Sequence, residues 1–337
     1  MTPGVAVVRF GVLGCADIAR RRVLPAMAAA PDIDLAAVAS RSPARAADAA
    51  RAYGARPVAG YAQLLADPFV DALYIPLPAA LHDRWVEAAL EAGKHVLAEK
   101  PLTTDPARTR TLLATARRRN LVLRENVMFV HHGQHTAVRE LVTDGAIGEL
   151  RALHAAFTIP SPADGDIRFD PELGGGALTD VGLYPVRAAV HLLGPDLRVA
   201  GAVLSAAAGR NVETSGAALL QRADGVSAQL TFGMEHAYRS RYELWGSQGR
   251  LTVDRAFTPP AGHRPRLLLE DASGSRTIDL PAEDQVAATL AAFTAAVAGT
   301  APADDGARDL LAQADLLSAI RRAANEGASA PGTGVPG

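Results

Sequence analysis

Across residues 1–125 the chain alternates short apolar runs with stretches of helical period, and this alternation limits the fold more than any other feature. Val7–Val12, Leu35–Ala39, Ala72–Ile75, His95–Leu97 and Leu121–Leu123 read as strands. Ile18–Ala29, Pro43–Tyr53, Gln63–Leu65, His82–Ala92 and Pro106–Arg119 read as helices. Ser42 can cap the second of these and Gly54 stops it. Asp105 can cap the last, with Pro106 at the first helical position. Strand–helix–strand units of this kind build a parallel, doubly wound sheet.

After Asn126 the texture changes. A helix is expected over Gln134–Thr143, a strand over Leu150–Ile159, an irregular Pro-, Asp- and Gly-rich loop over Pro160–Gly176, and a helix over Thr179–Leu193. Strands then dominate: Ala202–Ser205, Ala217–Gln221, Ala228–Phe232, Tyr242–Trp245, Arg250–Val253 and Arg266–Leu269, with short polar turns between them. Consecutive strands with short turns predict a mostly antiparallel sheet. Helices over Ala282–Ala298 and Ala307–Asn325 close the chain. The expected organisation is a dinucleotide-type domain over 1–125, an α+β domain over 126–327, and a disordered Gly/Pro/Ser-rich tail over 328–337.

At 337 residues with 21% charged and 49% apolar side chains, the composition is that of a globular enzyme. A net charge of −2 provides no global field for gripping nucleic acid or an anionic membrane surface. No run reaches the roughly 20 apolar residues of a membrane span. The one cysteine, Cys15, allows no internal disulfide or multi-cysteine metal site. With no signal-peptide pattern at the N-terminus, a cytoplasmic location is expected.

Between the first strand and the first helix lies Gly11-Val12-Leu13-Gly14-Cys15-Ala16-Asp17-Ile18-Ala19. Gly14, Ala16 and Ala19 fall on the three glycine positions of the dinucleotide fingerprint. Amides at the helix start would hold a pyrophosphate. The second strand ends in Ser40-Arg41, where an acidic residue would bind the 2′-hydroxyl of NAD. An arginine there suits a 2′-phosphate, so NADP(H) is expected over NAD(H). Cys15 has no evident partner base and reads as a small space-filling residue.

Ala98-Glu99-Lys100-Pro101 follows the fourth strand. A glutamate and a lysine at the mouth of a buried strand are costly unless used, and strand carboxyl ends are where such sheets bind ligands. Asp180 and Tyr184, four residues apart at the start of a helix after the flexible-looking Gly174-Gly175-Gly176, share one helical face. By themselves they read as a capping aspartate and a core tyrosine.

Taken together in order and spacing, Gly14 through Ala19, Pro76-Leu77-Pro78 with His82, Glu99-Lys100-Pro101, and Gly174 through Asp180 with Tyr184 resemble the Gfo/Idh/MocA oxidoreductase family. The likeness spans nearly the whole chain. It implies an α/β plus α+β fold: an N-terminal Rossmann domain with a doubly wound parallel sheet, and a C-terminal open mixed or antiparallel sheet domain. Two departures are visible. Tyr184 stands where sugar-alcohol dehydrogenases of the family commonly have histidine, and Pro78-Ala79 replaces a proline–asparagine step. Tyrosine is similar to the branch that holds dimeric dihydrodiol dehydrogenase, glucose–fructose oxidoreductase and sugar-nucleotide 3-ketoreductases. Glu125–His135 and Phe157–Arg168 are most similar to the last group.

The resemblance implies a cofactor site of Gly14, Cys15, Ala16, Asp17, Ile18, Ser40, Arg41, Leu77, Pro78, His82, Glu99, Lys100 and Arg168, with Glu99 at the nicotinamide ribose. It implies a substrate site of Lys100, Phe129, His131, Asp180 and Tyr184. Keto reduction needs a hydride at carbon and a proton at oxygen. Tyr184 is expected as proton donor, Lys100 as the cation that lowers its pKa, and Asp180 as the orienting group; the donor role could instead be that of Lys100. Arg168, Arg239 and Arg241 are candidates to hold a substrate diphosphate. His131, His132 and His135 near Glu125 form no ligand set of recognised spacing, so no metal is expected. The leading expectation is NADPH-dependent reduction of a keto group, at C-3, on a nucleotide-linked keto-deoxysugar, by a homodimer or homotetramer assembled through the C-terminal sheet. The alternatives are an NADP-dependent dehydrogenase of a free sugar, polyol or cyclic diol, and a non-catalytic NADP-binding sensor.

Overall fold

The computed structural model describes residues 7–329, arranged as two compact units. Residues 330–337 of the expected tail lie outside the described residues.

The first unit runs to His135 and also takes Pro259–Arg264 and Ala282–Leu311. Its strands are β1 (Val8–Leu13), β2 (Ile33–Ser40), β3 (Arg56–Ala59), β4 (Ala72–Ile75), β5 (His95–Ala98) and β6 (Leu123–Glu125). They form one parallel sheet of order β3-β2-β1-β4-β5-β6. Both faces are covered, so successive residues of a strand are buried on opposite sides. Phe10, Val12 and Tyr74 pack on the side that includes Phe293 of a late helix, Gln285–Val297, with the Phe10 and Phe293 rings 5.5 Å apart. Leu13, Leu73, Ile75 and Val96 pack on the other side with Val86, Leu90 and Leu112. The strand order reverses between β1 and β4, and a reversal of this kind opens a ligand crevice at the strand ends.

The helices of this unit include α1 (Leu24–Ala29), α2 (Pro43–Arg51), α3 (Tyr61–Leu65), α4 (Ala79–Glu91) and α5 (Pro106–Arg118). The Ser42 hydroxyl accepts from Arg45 N at the start of α2, and Asp105 accepts from Ala107 N at the start of α5, as the capping pattern predicts. Two features depart from expectation. Ile18–Ala29 is not one regular helix: Ala19–Val23 is a wide π turn, closed by Leu24 N donating to Ala19 O. Pro25 follows and cannot donate a backbone hydrogen bond, which favours the irregular turn before it. The edge strand β3 was not anticipated, because Arg-Pro-Val-Ala offers a single buried side chain, Val58.

The second unit takes Thr136–Thr258, Pro265–Pro281 and the chain from Ala312. Its strands are β7 (Leu150–Thr158), β8 (Leu197–Ser205), β9 (Ser215–Arg222), β10 (Ser227–Gly233), β11 (Arg239–Gly246), β12 (Gly249–Asp254), β13 (Arg266–Asp271) and β14 (Gly274–Asp279). The sheet order is β14-β13-β12-β11-β7-β10-β9-β8. Every neighbouring pair is antiparallel except β7 with β10, so the sheet is mixed and mostly antiparallel. Edge strand β14 was also missed; its Gly-Ser-Arg-Thr-Ile-Asp is largely exposed and has no apolar alternation to read. The buried face of the sheet carries Leu153, Ala155, Phe157, Tyr242 and Leu244. It is covered by a second π turn, Leu178–Gly182, and the helix Leu183–Leu193. Here too a proline, Pro185, sits just beyond the wide turn.

Candidate active site

In the first unit the turn after β1 is shaped by Gly14, whose φ of +126° is a conformation that side-chain-bearing residues avoid. A Cβ there would stand 2.9 Å from Leu77 Cδ2, so the turns after β1 and β4 touch where the strand order reverses. Arg45 donates from Nη2 to Cys15 O at 2.9 Å and braces the turn from α2. Cys15 is buried with its Sγ 3.6 Å from Arg45 O. Burial pushes its thiol pKa up, which favours the inert thiol over a nucleophilic thiolate.

Beside this turn lies a cavity of about 440 Å³ whose wall includes Arg41, Tyr61, Leu77, Pro78, Arg84 and Trp85. Three residues expected around the cofactor, Arg41, Leu77 and Pro78, thus share one wall, and no carboxylate lines it. A bare glycine turn at the crevice and a cavity bearing cations without acids fit a dinucleotide with an added phosphate. Ser40 is buried beside it and accepts from Ser42 N at 3.2 Å.

The other strand ends are cross-linked by buried polar groups. His82 is fully buried, with Nδ1 2.7 Å from Pro101 O and Nε2 2.7 Å from Leu77 O. Burial pushes its pKa down, opposed by the two carbonyls. Both ring nitrogens face carbonyl oxygens, and the one that carries the proton donates to its carbonyl, so His82 positions the Leu77 and Pro101 turns and offers no nitrogen outward. Glu99 Oε1 accepts from Tyr74 Oη at 2.7 Å and from Asn126 Nδ2 at 2.6 Å. Both donors converge on one oxygen, and Glu99 Oε2 takes no hydrogen bond among the described residues. Lys100 follows directly, at the carboxyl end of β5, and its bond to Pro101 is cis. Glu125 Oε1 accepts from Leu102 N at 2.7 Å and secures the far side of this turn.

Phe129 is buried in a 3₁₀ turn, Met128–His131, edge-on to His135 at 5.2 Å; His131, at the end of the turn, is half-buried. His132 is buried within 3.7 Å of Glu283. Among the described residues no group of three or more His, Cys, Asp or Glu side chains is arranged to hold a metal ion.

In the second unit, Arg168 Nε donates to Asp180 Oδ2 at 2.7 Å, and Arg168 Nη1 lies 3.1 Å from Asp166 Oδ2. The structure therefore brings Arg168 and Asp180 together, with Asp180 in the wide turn and Tyr184 in the first turn of the following helix. The Tyr184 ring packs edge-on to Phe157 at 4.7 Å and lies 5.9 Å from Phe257. The glycine run before it is tightly built, contrary to the expectation of flexibility. Gly175 N donates to Asp170 O and Gly176 N to Arg168 O, both at 2.9 Å. A Cβ on Gly175 would stand 2.5 Å from Arg168 O, so only glycine lets these strands of loop close on each other.

Arg239 and Arg241 require a correction. Strand alternation puts them on the opposite sheet face from Ser240, Tyr242 and Leu244, and hence from Phe157 and Tyr184. Arg241 is also paired with Glu243 and lies 3.7 Å from Asp254. Neither is placed to share a site with Tyr184. Sequence reasoning also missed Tyr74 and Asn126, the two donors to Glu99, and Arg84 and Trp85 in the cavity wall. Tyr74 lies within the apolar run of β4 and Arg84 on α4, and no motif marks either one.

The first unit is thus a dinucleotide-binding Rossmann unit, and the second an open mixed sheet with helices on one face. Residues 8–127 match the model of the GFO/IDH/MocA oxidoreductase family, NAD-binding Rossmann fold, and residues 135–252 match the GFO/IDH/MocA C-terminal domain. The chain belongs to this family. It is 54% identical, over 96% of its length and 97% of the relative's, to a dTDP-3,4-didehydro-2,6-dideoxy-α-D-glucose 3-reductase from Streptomyces violaceoruber. The crystal structure of KijD10, a 3-ketoreductase from Actinomadura kijaniata in complex with NADP and TDP-benzene, is 50% identical with a TM-score of 0.91, covering 94% of this chain and 98% of that one. Solved variants of KijD10 replace one tyrosine and one lysine. An aldose–aldose oxidoreductase from Caulobacter crescentus, complexed with glycerol, is 25% identical with a TM-score of 0.87, covering 95% of this chain and 98% of that one.

Proposed function

We propose that this protein is an NADPH-dependent ketoreductase acting at C-3 of a dTDP-linked keto-deoxysugar. The observation that carries this reading is a spacing. The lysine and tyrosine replaced in the KijD10 variants are separated by the same number of residues as Lys100 and Tyr184. Near-complete coverage at about half identity supports the same substrate class.

The residues suit the chemistry. The turn Gly14-Cys15-Ala16-Asp17-Ile18 would hold the pyrophosphate of NADPH, Ser40 and Arg41 its 2′-phosphate, Leu77 and Pro78 its adenosine, and Glu99 Oε2 a ribose hydroxyl. Hydride is the chemistry this cofactor supplies when bound. A proton must then reach the carbonyl oxygen as its charge develops. The Tyr184 phenol donates it, and the Lys100 ammonium favours the resulting phenolate and stabilises the oxyanion. Asp180, held by Arg168, fixes a substrate hydroxyl or the donor itself; with Asp166 and Asp180 as partners, Arg168 acts by positioning Asp180. Phe129 and His131 complete the proposed substrate set.

We propose further that copies associate through the outward face of the sheet, which exposes Val203, Leu219 and Trp245 and stacks His154 on Trp245 at 4.2 Å. A reducing cytoplasm suits its single buried thiol. The deciding experiment is NADPH oxidation with a dTDP-linked 3-keto sugar beside free aldoses, polyols and cyclic diols. Turnover restricted to the nucleotide sugar supports the reading. Turnover of free sugars alone points to a sugar dehydrogenase, and turnover of nothing to a sensor.

A further inference from the structure

Two guanidiniums of the first unit share one cavity wall. Arg9 is paired with Asp71 at 2.6 Å, Arg56 with Asp67, and Arg108 with both Asp83 at 2.9 Å and Glu87 at 3.0 Å. Arg41 and Arg84 have no carboxylate partner among the described residues, and both line the same acid-free cavity. For Arg84 the reason is local. Its natural partner on α4 is Glu87, three residues on. Arg108 on α5 engages Glu87 as well as Asp83, leaving Arg84 uncompensated at the cavity. Its guanidinium carbon lies 5.0 Å from the centroid of Trp85, whose ring meets Tyr61 edge-on at 4.9 Å. The cavity therefore offers two cations and an aromatic wall, features complementary to a phosphate carried on an aromatic nucleoside.

We propose that Arg84 is a specificity-determining residue, which with Arg41 grips the 2′-phosphate of NADP(H) while Trp85 and Tyr61 wall the adenosine. This rests on the cofactor reading above and assigns part of the selection to α4, away from the strand-end arginine the fingerprint points to. A phosphate held by two guanidiniums loses one set of charge-assisted bonds when Arg84 is removed. Because Arg84 is exposed, screening puts the loss at the low end of the range, about tenfold in affinity.

Quenching of tryptophan fluorescence by NADPH and NADH, with the wild-type chain, Arg84→Ala and Arg84→Lys, provides the test, and a melting curve checks that each variant is folded. The expected result is an NADPH Kd raised about tenfold in Arg84→Ala, an NADH Kd within about twofold of wild type, and an intermediate NADPH value for Arg84→Lys. In competition, 2′-AMP should displace NADPH better than 5′-AMP from the wild type, and Arg84→Ala should narrow that difference. A wild type that prefers NADPH while Arg84→Ala binds it unchanged overturns the role of Arg84 alone. Equal weakening of both cofactors also overturns it. A wild type that binds NADH as tightly as NADPH overturns the cofactor reading and this role with it.

Discussion

Replacing Tyr74 with phenylalanine removes one oxygen atom from a fully buried ring and probes how Glu99 is aimed. The Tyr74 phenol donates to Glu99 Oε1 at 2.7 Å, beside the Asn126 amide at 2.6 Å. Hydrogen bonds to charged groups are worth about 1.5–3 kcal/mol. The loss should fall below that range, because Asn126 still holds the same oxygen and phenylalanine strands no donor of its own. A cost of about 1 kcal/mol follows, or a melting temperature lower by about 1–2 °C for a chain of this size. The carboxylate, held from one side only, gains rotamer freedom, and Oε2 is less often aimed at a ribose hydroxyl. The Kd for NADPH should rise by roughly three- to tenfold, and a Tyr74→Phe/Glu99→Gln cycle should be non-additive. Titration and thermal melting check both effects. A variant with wild-type melting and wild-type affinity would refute the idea that the phenol positions Glu99.

Further outcomes follow from the same structure. Gly175→Ala forces a Cβ to 2.5 Å from Arg168 O, and overpacking of this kind costs about 1–3 kcal/mol. It should lower the melting temperature and, by moving Arg168 off Asp180, lower kcat more than it raises the KM for NADPH; unaltered melting would count against a tightly built loop. Burial pushes the phenols of Tyr74 and Tyr242 well above their ordinary pKa near 10. The folded chain then holds protons that the unfolded chain releases, so this stabilisation is complete below about pH 10 and is lost as pH rises further. Of the six tyrosines, these two should ionise only as the chain unfolds; tyrosinate absorbance reaching all six before circular dichroism changes would contradict this. Arg41→Ala should erase most of the preference for NADPH over NADH, measured as the ratio of kcat/KM values, and an unchanged ratio would exclude Arg41 from the 2′-phosphate.

Much of the fold was legible because it is written in local chemistry. Ser42 and Asp105 cap the helices they precede, and β4 begins and ends at Ala72 and Ile75 as its apolar run does. What stayed hidden depends on tertiary partners. Edge strands β3 and β14 pair on one side only and need no apolar pattern. The π turns at Ala19–Val23 and Leu178–Gly182 sit in stretches with helical spacing, and only a proline downstream hints at them. Among the candidate site residues, the glycine turn and Glu99-Lys100-Pro101 were readable as motifs. That Arg168 holds Asp180, that His82 ties two turns together, or that Arg108 draws Glu87 of α4 away from Arg84 depends on contacts between distant segments. Arg239 and Arg241 misled for a related reason. Charge alone does not tell which face of a strand a residue occupies, and the register of β11 puts both on the side away from Tyr184.

The most direct test of the central claim, that Lys100 and Tyr184 together manage the proton, is a pH–rate comparison of Lys100→Met, Tyr184→Phe and the double variant. Each would be saturated with NADPH and a dTDP-linked 3-keto sugar. Each single variant should lose roughly 10²–10⁴-fold in kcat with NADPH binding largely retained, and the double variant should lose little more than the worse single one. Wild-type kcat in both single variants across the pH range would contradict the account.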